Sequence, residues 1–239
     1  MGTQYIYKRV LLKLSGEALK GKNELGYDAA AVSEIVKRIR KAHAAGIQIA
    51  LVTGAGNLWR GMTGAKRGMD RVTADYMGML ATVMNGLCLK DAFLAEGVPA
   101  VLQSAFPVGT IAETFDRNLA IKHLNEGKVV IFAGGTGCPF FTTDTTAALR
   151  ALEMNCEAVL KATKVDGVYS ADPMKDKNAT RYSKLSFADA LGQKLAIMDA
   201  AAFTMCSEGK LPIIVFNFSE PDNLDKVLQG DTSIATVIS

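Results

Sequence analysis

The chain has 239 residues, 49% of them hydrophobic, enough for one sizeable core or two closely fused lobes and too apolar for a disordered polypeptide. Its formal net charge is only +3, with basic and acidic residues interleaved, which argues against a nucleic-acid binder and leaves a small anionic ligand open. The four cysteines, Cys88, Cys138, Cys156 and Cys206, lack the paired spacing of a zinc knuckle or disulfide framework, and neither MGTQYIYKRV nor any later run reads as a signal peptide or membrane span, so a cytoplasmic protein with reduced thiols is expected.

Val10 to Leu14 is the first strand expected. Val32, Ile35, Val36 and Ile39 then fall three and four residues apart, the spacing of one buried helix face, and Gly46 is placed to end that helix. Ile47 to Val52 completes a βαβ unit. A long helix is expected from Arg71 to Glu96, with Val72, Met79, Leu80, Val83, Met84 and Leu87 on its apolar side, stopped by Gly97 and Pro99; its length suits a domain or subunit contact. Further strands are expected at Ala100 to Gln103, Lys128 to Phe132, Ala158 to Lys161 and Pro212 to Asn217. Alternating strands and helices, with nearly continuous apolar strands, predict an α/β fold: a mostly parallel central sheet sandwiched by helices, with ligands at the strand ends. The turn-rich stretch Asp172 to Lys184 reads as a mobile surface segment, and a division near Ala158 separates two parts of a single domain.

Three strands run into glycine turns: Lys13-Leu14-Ser15-Gly16, Thr53-Gly54-Ala55-Gly56-Asn57 and Ala133-Gly134-Gly135-Thr136-Gly137. Without a Cβ in the way, successive backbone N–H groups in such turns can converge on an anion, and a following helix adds its positive end. Two nucleotide motifs fail here. Trp59 occupies the third glycine position of the dinucleotide fingerprint, and Asn23 lacks the hydroxyl that a Walker A loop places on Mg²⁺.

Bringing two phosphates together is mainly a problem of repulsion. Two dianions about 5 Å apart repel by roughly 13 kcal/mol at an effective dielectric near 20, and one helix terminus returns only about 1 kcal/mol. Several cations are therefore required. The sequence offers Lys13, flanked by Leu12 and Leu14, Arg60 after the second turn, and Lys161 and Lys164 after a late strand, with Mg²⁺ completing the set. In the run Thr136 to Asp144, Thr142 and Thr143 can donate hydroxyls to phosphate oxygens, and Asp144 either positions a lysine or Mg²⁺ or simply caps the next helix. Asp75 sits in an otherwise apolar helix, where a carboxylate must be paired or exposed; it either binds ribose hydroxyls or is solvated. Met62, Met69, Met77, Met79 and Met84 read as packing, and His43 and His123 have no neighbouring ligands or nucleophile.

Taken together, several strings resemble the bacterial uridylate kinases of the amino-acid kinase superfamily: Tyr7 to Leu19, Gly78 to Leu87, Pro139 to Asp144, Leu160 to Tyr169, Ala171-Asp172-Pro173 and Met198 to Thr204. The resemblance runs from Tyr7 to Ile238 and implies ATP-dependent phosphorylation of UMP to UDP with Mg²⁺ in pyrimidine nucleotide synthesis. It implies that residues about 1–157 bind the acceptor and about 158–239 bind ATP. By the family pattern Lys13, Leu14, Ser15 and Gly16 cradle ATP phosphates, with Gly56 and Arg60 on the same side, and Thr163, Tyr169 and Asp172 line the adenosine pocket. Gly54, Ala55, Asp75 and the run Thr136, Gly137, Cys138, Pro139, Phe140, Phe141, Thr142 and Thr143 would hold UMP, while Asp144 would organise the cationic centre. Lys13, Arg60, Asp144 and Lys161 are the catalytic candidates, and no protein metal ligand is assigned. The resemblance further implies a homohexamer activated by GTP and inhibited by UTP, with no nucleic-acid or membrane partner. Departures are Ala55 where glycine is usual, Cys138 where Asn is common and Tyr76 where His is common. Other readings are a kinase of the same superfamily acting on a carboxylate or carbamate, and a nonenzymatic nucleotide-binding regulator or storage subunit.

Overall fold

The computed structural model describes residues 4–59, 68–171, 175–176, 178–193, 195 and 197–239. Strand β1 (Arg9–Leu14) is followed by a 3-10 turn (Gly16–Lys20), helix α1 (Ala29–Ala44) and strand β2 (Gln48–Thr53). The long helix α2 (Arg71–Ala95) leads to β3 (Ala100–Ser104), the short β4 (Glu113–Thr114), α3 (Arg117–Asn125) and β5 (Val129–Ala133). Then come α4 (Thr143–Glu153), β6 (Ala158–Thr163), β7 (Val168–Tyr169), β8 (Arg181–Tyr182) and β9 (Lys184–Leu185). Helices α5 (Phe187–Gly192) and α6 (Ala200–Glu208), strand β10 (Ile213–Asn217), helix α7 (Asn223–Leu228) and strand β11 (Ala235–Ile238) complete the order.

Among the described residues one nine-stranded sheet runs β4-β3-β5-β2-β1-β6-β10-β11-β9. Every neighbouring pair is parallel except β10 with β11, and β7 and β8 form a separate antiparallel pair. The six expected strands are present, each within two residues of its expected ends. The strands that periodicity did not disclose are two to four residues long, too short to show an alternation. The stretch expected as a mobile surface segment is partly built into the fold: Arg181 and Tyr182 pair with β7, and Lys184 begins β9 in the main sheet.

Alternation along the strands builds two cores. Val10, Leu12 and Leu14 face one side with Ile49, Leu51, Leu160 and Phe216, against α1, α2 and α7. Leu11 faces the other with Ala50, Val52, Val159 and Val215, against α3, α4 and α6. Strands buried on both faces in this way read as continuous apolar runs.

Helix α2 spans the expected length, but its inner face is not the expected one. Met79 and Val83 are buried, whereas Leu80 is 50% and Met84 54% exposed. Ala74, Thr82, Asn85, Gly86, Leu89 and Phe93 turn inward instead. The helix lies so close to the sheet that a Cβ on Gly86 would come within 2.4 Å of Leu102 Cδ1, so small and polar residues occupy the seam and larger apolar ones are left outside. By length and hydropathy α2 is the described helix that could cross a membrane, yet here it packs on β3 and β5.

Gly86→Ala should therefore destabilise the protein by about 1–3 kcal/mol in urea unfolding. Pairing it with Leu102→Val should recover part of the loss; a double variant no more stable than Gly86→Ala would refute the close approach as its cause.

Candidate active site

Because β1, β2, β5 and β6 are parallel, their C-terminal ends share one edge of the sheet, and all three glycine turns open there. Lys13 on β1 is the register partner of Lys161 on β6. Side chains paired in adjacent strands project from the same face about 4.8 Å apart, so two ammonium groups stand side by side. Helix α4 brings the compensating charge. Asp144, in its first turn, receives a hydrogen bond from Lys161 Nζ at 2.8 Å on Oδ2. Lys13 Nζ lies 2.9 Å from Oδ1 as an ion pair without hydrogen-bond alignment. Lys161 also donates to the Ile197 carbonyl.

All three side chains are largely buried, and the titration of Asp144 and Lys161 reflects it. Burial pushes the Asp144 pKa up, but Lys13 and Lys161 together outweigh it and hold the carboxyl below the usual carboxylate range. Burial pulls Lys161 down, and Lys13 adds to this, against the attraction of Asp144. With both lysines protonated, two positive charges face one negative.

Asp199, not among the sequence candidates, steadies this arrangement. It caps α6 by accepting from the Ala202 amide at 3.0 Å, and it also accepts from Thr145 Oγ1 at 2.9 Å and from the hydroxyl of Thr142, the cap of α4. One carboxylate thus ties two helix starts together. An Asp directly before the apolar run Ala200 to Phe203 was the available signal.

Two cavities open among these strand ends and glycine turns. The larger, about 760 Å³, is lined by Lys13, Leu14, Ser15, Lys161, Thr163 and Lys164, with Arg38 and Phe218 among its other walls. The smaller, about 240 Å³, is lined by Ala55, Asp75, Thr136, Phe141, Thr142 and Thr143, with Trp59, Arg71 and Gly135 among the rest. Asp144 lines neither cavity, but it pairs with Lys13 and Lys161 in the wall of the larger, and its chain neighbour Thr143 lines the smaller. Gly54, Gly137, Cys138, Pro139 and Phe140 flank the smaller cavity without lining it, and Gly56 lines neither. Gly16 packs against the second turn: a Cβ there would meet the Gly54 carbonyl oxygen at 2.3 Å. Tyr169 bonds to Asp166 at 2.7 Å in the β7–β8 pair and is not in the wall of the larger cavity. Arg60 and Asp172 lie outside the described residues.

Asp75 is paired rather than solvated. Arg71 Nε reaches both of its oxygens, at 2.9 and 2.8 Å, and the Phe140 amide donates to Oδ2 at 2.9 Å. That contact holds Phe140 at φ 71°, in the left-handed region. Ala55 has no positive φ, so its methyl group brings no backbone strain and only narrows the smaller cavity. Tyr76 is exposed on α2, and Cys138 is exposed beside the cavity.

Among the described residues no group of three His, Cys, Asp or Glu side chains is placed to cage a metal. Asp144 already faces two ammonium groups. Such a donor set would suit Mg²⁺ only as a cation brought in on ligand oxygens.

A family profile described as the amino acid kinase family matches residues 8–217. Among solved structures, a UMP kinase from Bacillus anthracis is 37% identical with a TM-score of 0.94, the match covering 98% of this chain and 96% of that one. A UMP kinase from Ureaplasma parvum is 35% identical with a TM-score of 0.92 and full coverage of both chains. A uridylate kinase from Archaeoglobus fulgidus is 29% identical with a TM-score of 0.72, covering 96% of this chain and 99% of that one.

A carboxyl held below its ordinary range contributes stability that is complete above the unfolded value of about 3.9 and is lost as pH falls through the depressed folded value. Asp144→Asn should therefore be less stable than the parent by about 3 kcal/mol at pH 7, and the gap should narrow below about pH 4. Urea unfolding from pH 7 to pH 2 measures this; a gap independent of pH would contradict the charge assignment.

Proposed function

The chain belongs to the amino acid kinase family, and from that membership we propose that it is a UMP kinase, transferring the γ-phosphoryl group of ATP to UMP to give UDP and ADP. The observation that carries this reading is a buried Lys13–Asp144–Lys161 triad whose lysines line the larger cavity and whose Asp144 follows Thr143 of the smaller. ATP occupies the larger cavity, with its phosphates toward Lys13, Ser15 and Gly16. UMP occupies the smaller, with its phosphate toward Ala55 and the start of α4. A UMP phosphate oxygen forms a bond to the γ-phosphorus as the bond to the β–γ bridging oxygen breaks, and ADP departs with that oxygen. No protein nucleophile is needed, so catalysis rests on alignment and on offsetting charge.

Lys13 and Lys161 lie where charge accumulates on the transferred group, and Asp144 keeps both at a fixed spacing. Arg60 is assigned to the same charge management on the donor side, with Gly56. Mg²⁺, when bound, supplies Lewis acidity and charge neutralisation on the phosphate oxygens. Thr163, Tyr169 and Asp172 are assigned to adenosine. Gly54, Asp75, Thr136 and the run Gly137 to Thr143 are assigned to UMP. The smaller cavity is lined within the part about 1–157, whereas the larger draws on both parts, with Lys13, Leu14 and Ser15 from the first and Lys161, Thr163 and Lys164 from the second.

The finer expectations remain part of the proposal: a cytoplasmic homohexamer in pyrimidine nucleotide synthesis, raised by GTP and lowered by UTP. Support for self-association comes from the outer face of α2, where Tyr76, Met77, Leu80 and Met84 form an exposed apolar stripe. Cys156 and Cys206 are buried thiols whose pKa values burial pushes up to about 12, so neither is poised as a nucleophile.

ADP release with ATP and Mg²⁺ should be fastest with UMP among UMP, CMP, dUMP, aspartate and carbamate, and GTP and UTP should shift it in opposite directions. Preference for a carboxylate acceptor, or no turnover with any, would refute the assignment. Lys13→Ala should lower kcat on the order of 100-fold with the fold intact. Leu80→Glu with Met84→Glu should yield a smaller species in sedimentation; an unchanged sedimentation coefficient would remove α2 from the subunit contact.

A further inference from the structure

Two buried side chains beside the site, Asn57 and Asn85, have no part in the reading above. Both are fully buried, one in the turn after β2 and one on the inner face of α2. Asn57 Nδ2 donates to Asn85 Oδ1 at 2.9 Å, and Asn85 Nδ2 donates to Asn57 Oδ1 at 2.8 Å. Each amide nitrogen also reaches a backbone carbonyl: Asn85 that of Gly54 at 2.8 Å, and Asn57 that of Gly26 at 3.1 Å. The Gly26 amide in turn donates to the Asn57 carbonyl at 2.9 Å. Every amide proton of the pair therefore has an acceptor, which is what makes two polar groups tolerable in a packed interior.

These contacts bear on the distance between the two phosphate turns. The carbonyl gripped by Asn85 belongs to Gly54, next to Ala55 in the smaller cavity. That same carbonyl oxygen, with Asn57 Oδ1, occupies the space a Cβ on Gly16 would need, at 2.3 and 2.7 Å. The donor turn, the acceptor turn and α2 thus meet at one polar contact. One helical turn earlier on α2, Thr82 Oγ1 accepts from the Gly134 amide at 2.8 Å, so the same helix edge also holds the third glycine turn.

We propose that Asn85, acting with Asn57, is a positioning residue for phosphoryl transfer: the amide pair sets the separation between the donor turn at 13–16 and the acceptor residues Gly54 and Ala55. This rests on the UMP kinase reading. Neither amide touches the reacting atoms. Its effect belongs to alignment, where a displacement of about 1 Å can lower a rate roughly 100-fold without loosening either substrate.

The test compares Asn85→Leu, Asn57→Ala and the double variant with the parent in kcat, in the separate affinities for ATP and UMP by calorimetry, and in thermal midpoint. Leu228→Ala, in the core beneath α7 and in the wall of neither cavity, serves as a control of reduced stability. Each single variant should lose about 30-fold in kcat while each nucleotide's affinity changes less than about threefold. The double variant should lose no more than the worse single, because the pair acts as a unit. If Asn85→Leu does not fold, Asn85→Asp keeps the size and the acceptor for Asn57, gives up the N–H donors to both Gly54 and Asn57, and should show the same kcat loss. The proposal is overturned if a folded Asn85 variant keeps kcat within twofold, if Leu228→Ala reproduces the loss at the same thermal midpoint, or if the single losses multiply. A parent protein without turnover on UMP overturns the UMP kinase reading and this role together, whereas an active parent with an equally active Asn85 variant overturns this role alone.

Discussion

Two lysines side by side on adjacent strands are the constraint around which this molecule is organised. Lys13 and Lys161 are register partners on β1 and β6 and share one carboxylate, and like charges on the order of 5 Å apart repel by roughly 3 kcal/mol at an effective dielectric near 20. Solvent does little to relieve this, because both side chains are only 15% exposed. Asp144 makes the arrangement stable, and it can do so only if α4 begins at the right height above the sheet. The cap at Thr142, the Asp199 bridge to α6 and the Ile197 carbonyl all serve that placement. The repulsion left after Asp144 is added is useful: a site with surplus positive charge is prepared for anions.

A second constraint is the closeness of α2 to the sheet. Its inner edge carries Thr82, Asn85 and Gly86, which a reading by hydrophobicity ranks as outward-facing. Small size lets the helix approach, and the polar groups then find turn backbones as partners instead of water. The large apolar residues Leu80 and Met84 are displaced to the outer face. One helix can thus hold glycine turns on one side and offer a contact surface on the other.

Ala55 and Asp75 show how tertiary context revises single-residue expectations. A methyl in a glycine turn suggests strain, but strain requires the left-handed backbone that Ala55 does not adopt. Here that conformation falls on Phe140, and the Asp75 carboxylate stabilises it through the Phe140 amide. Asp75 is therefore engaged with protein groups while also facing the smaller cavity.

The sequence by itself determined the layered α/β architecture, the six long strands and the glycine turns at their ends, because these follow from local periodicity and from residues whose backbone freedom is intrinsic. It also marked Lys13 and Asp144, since a charge inside an apolar strand and an acid in a Thr-rich helix start are local anomalies. Only the tertiary structure decided that Lys13 lies beside Lys161, that Asp199 joins two helix starts, that Asn57 and Asn85 pair, and which side of α2 is buried. Such facts depend on strand register and interhelical distance, which are fixed by contacts between residues far apart in the chain and leave no periodic trace along it.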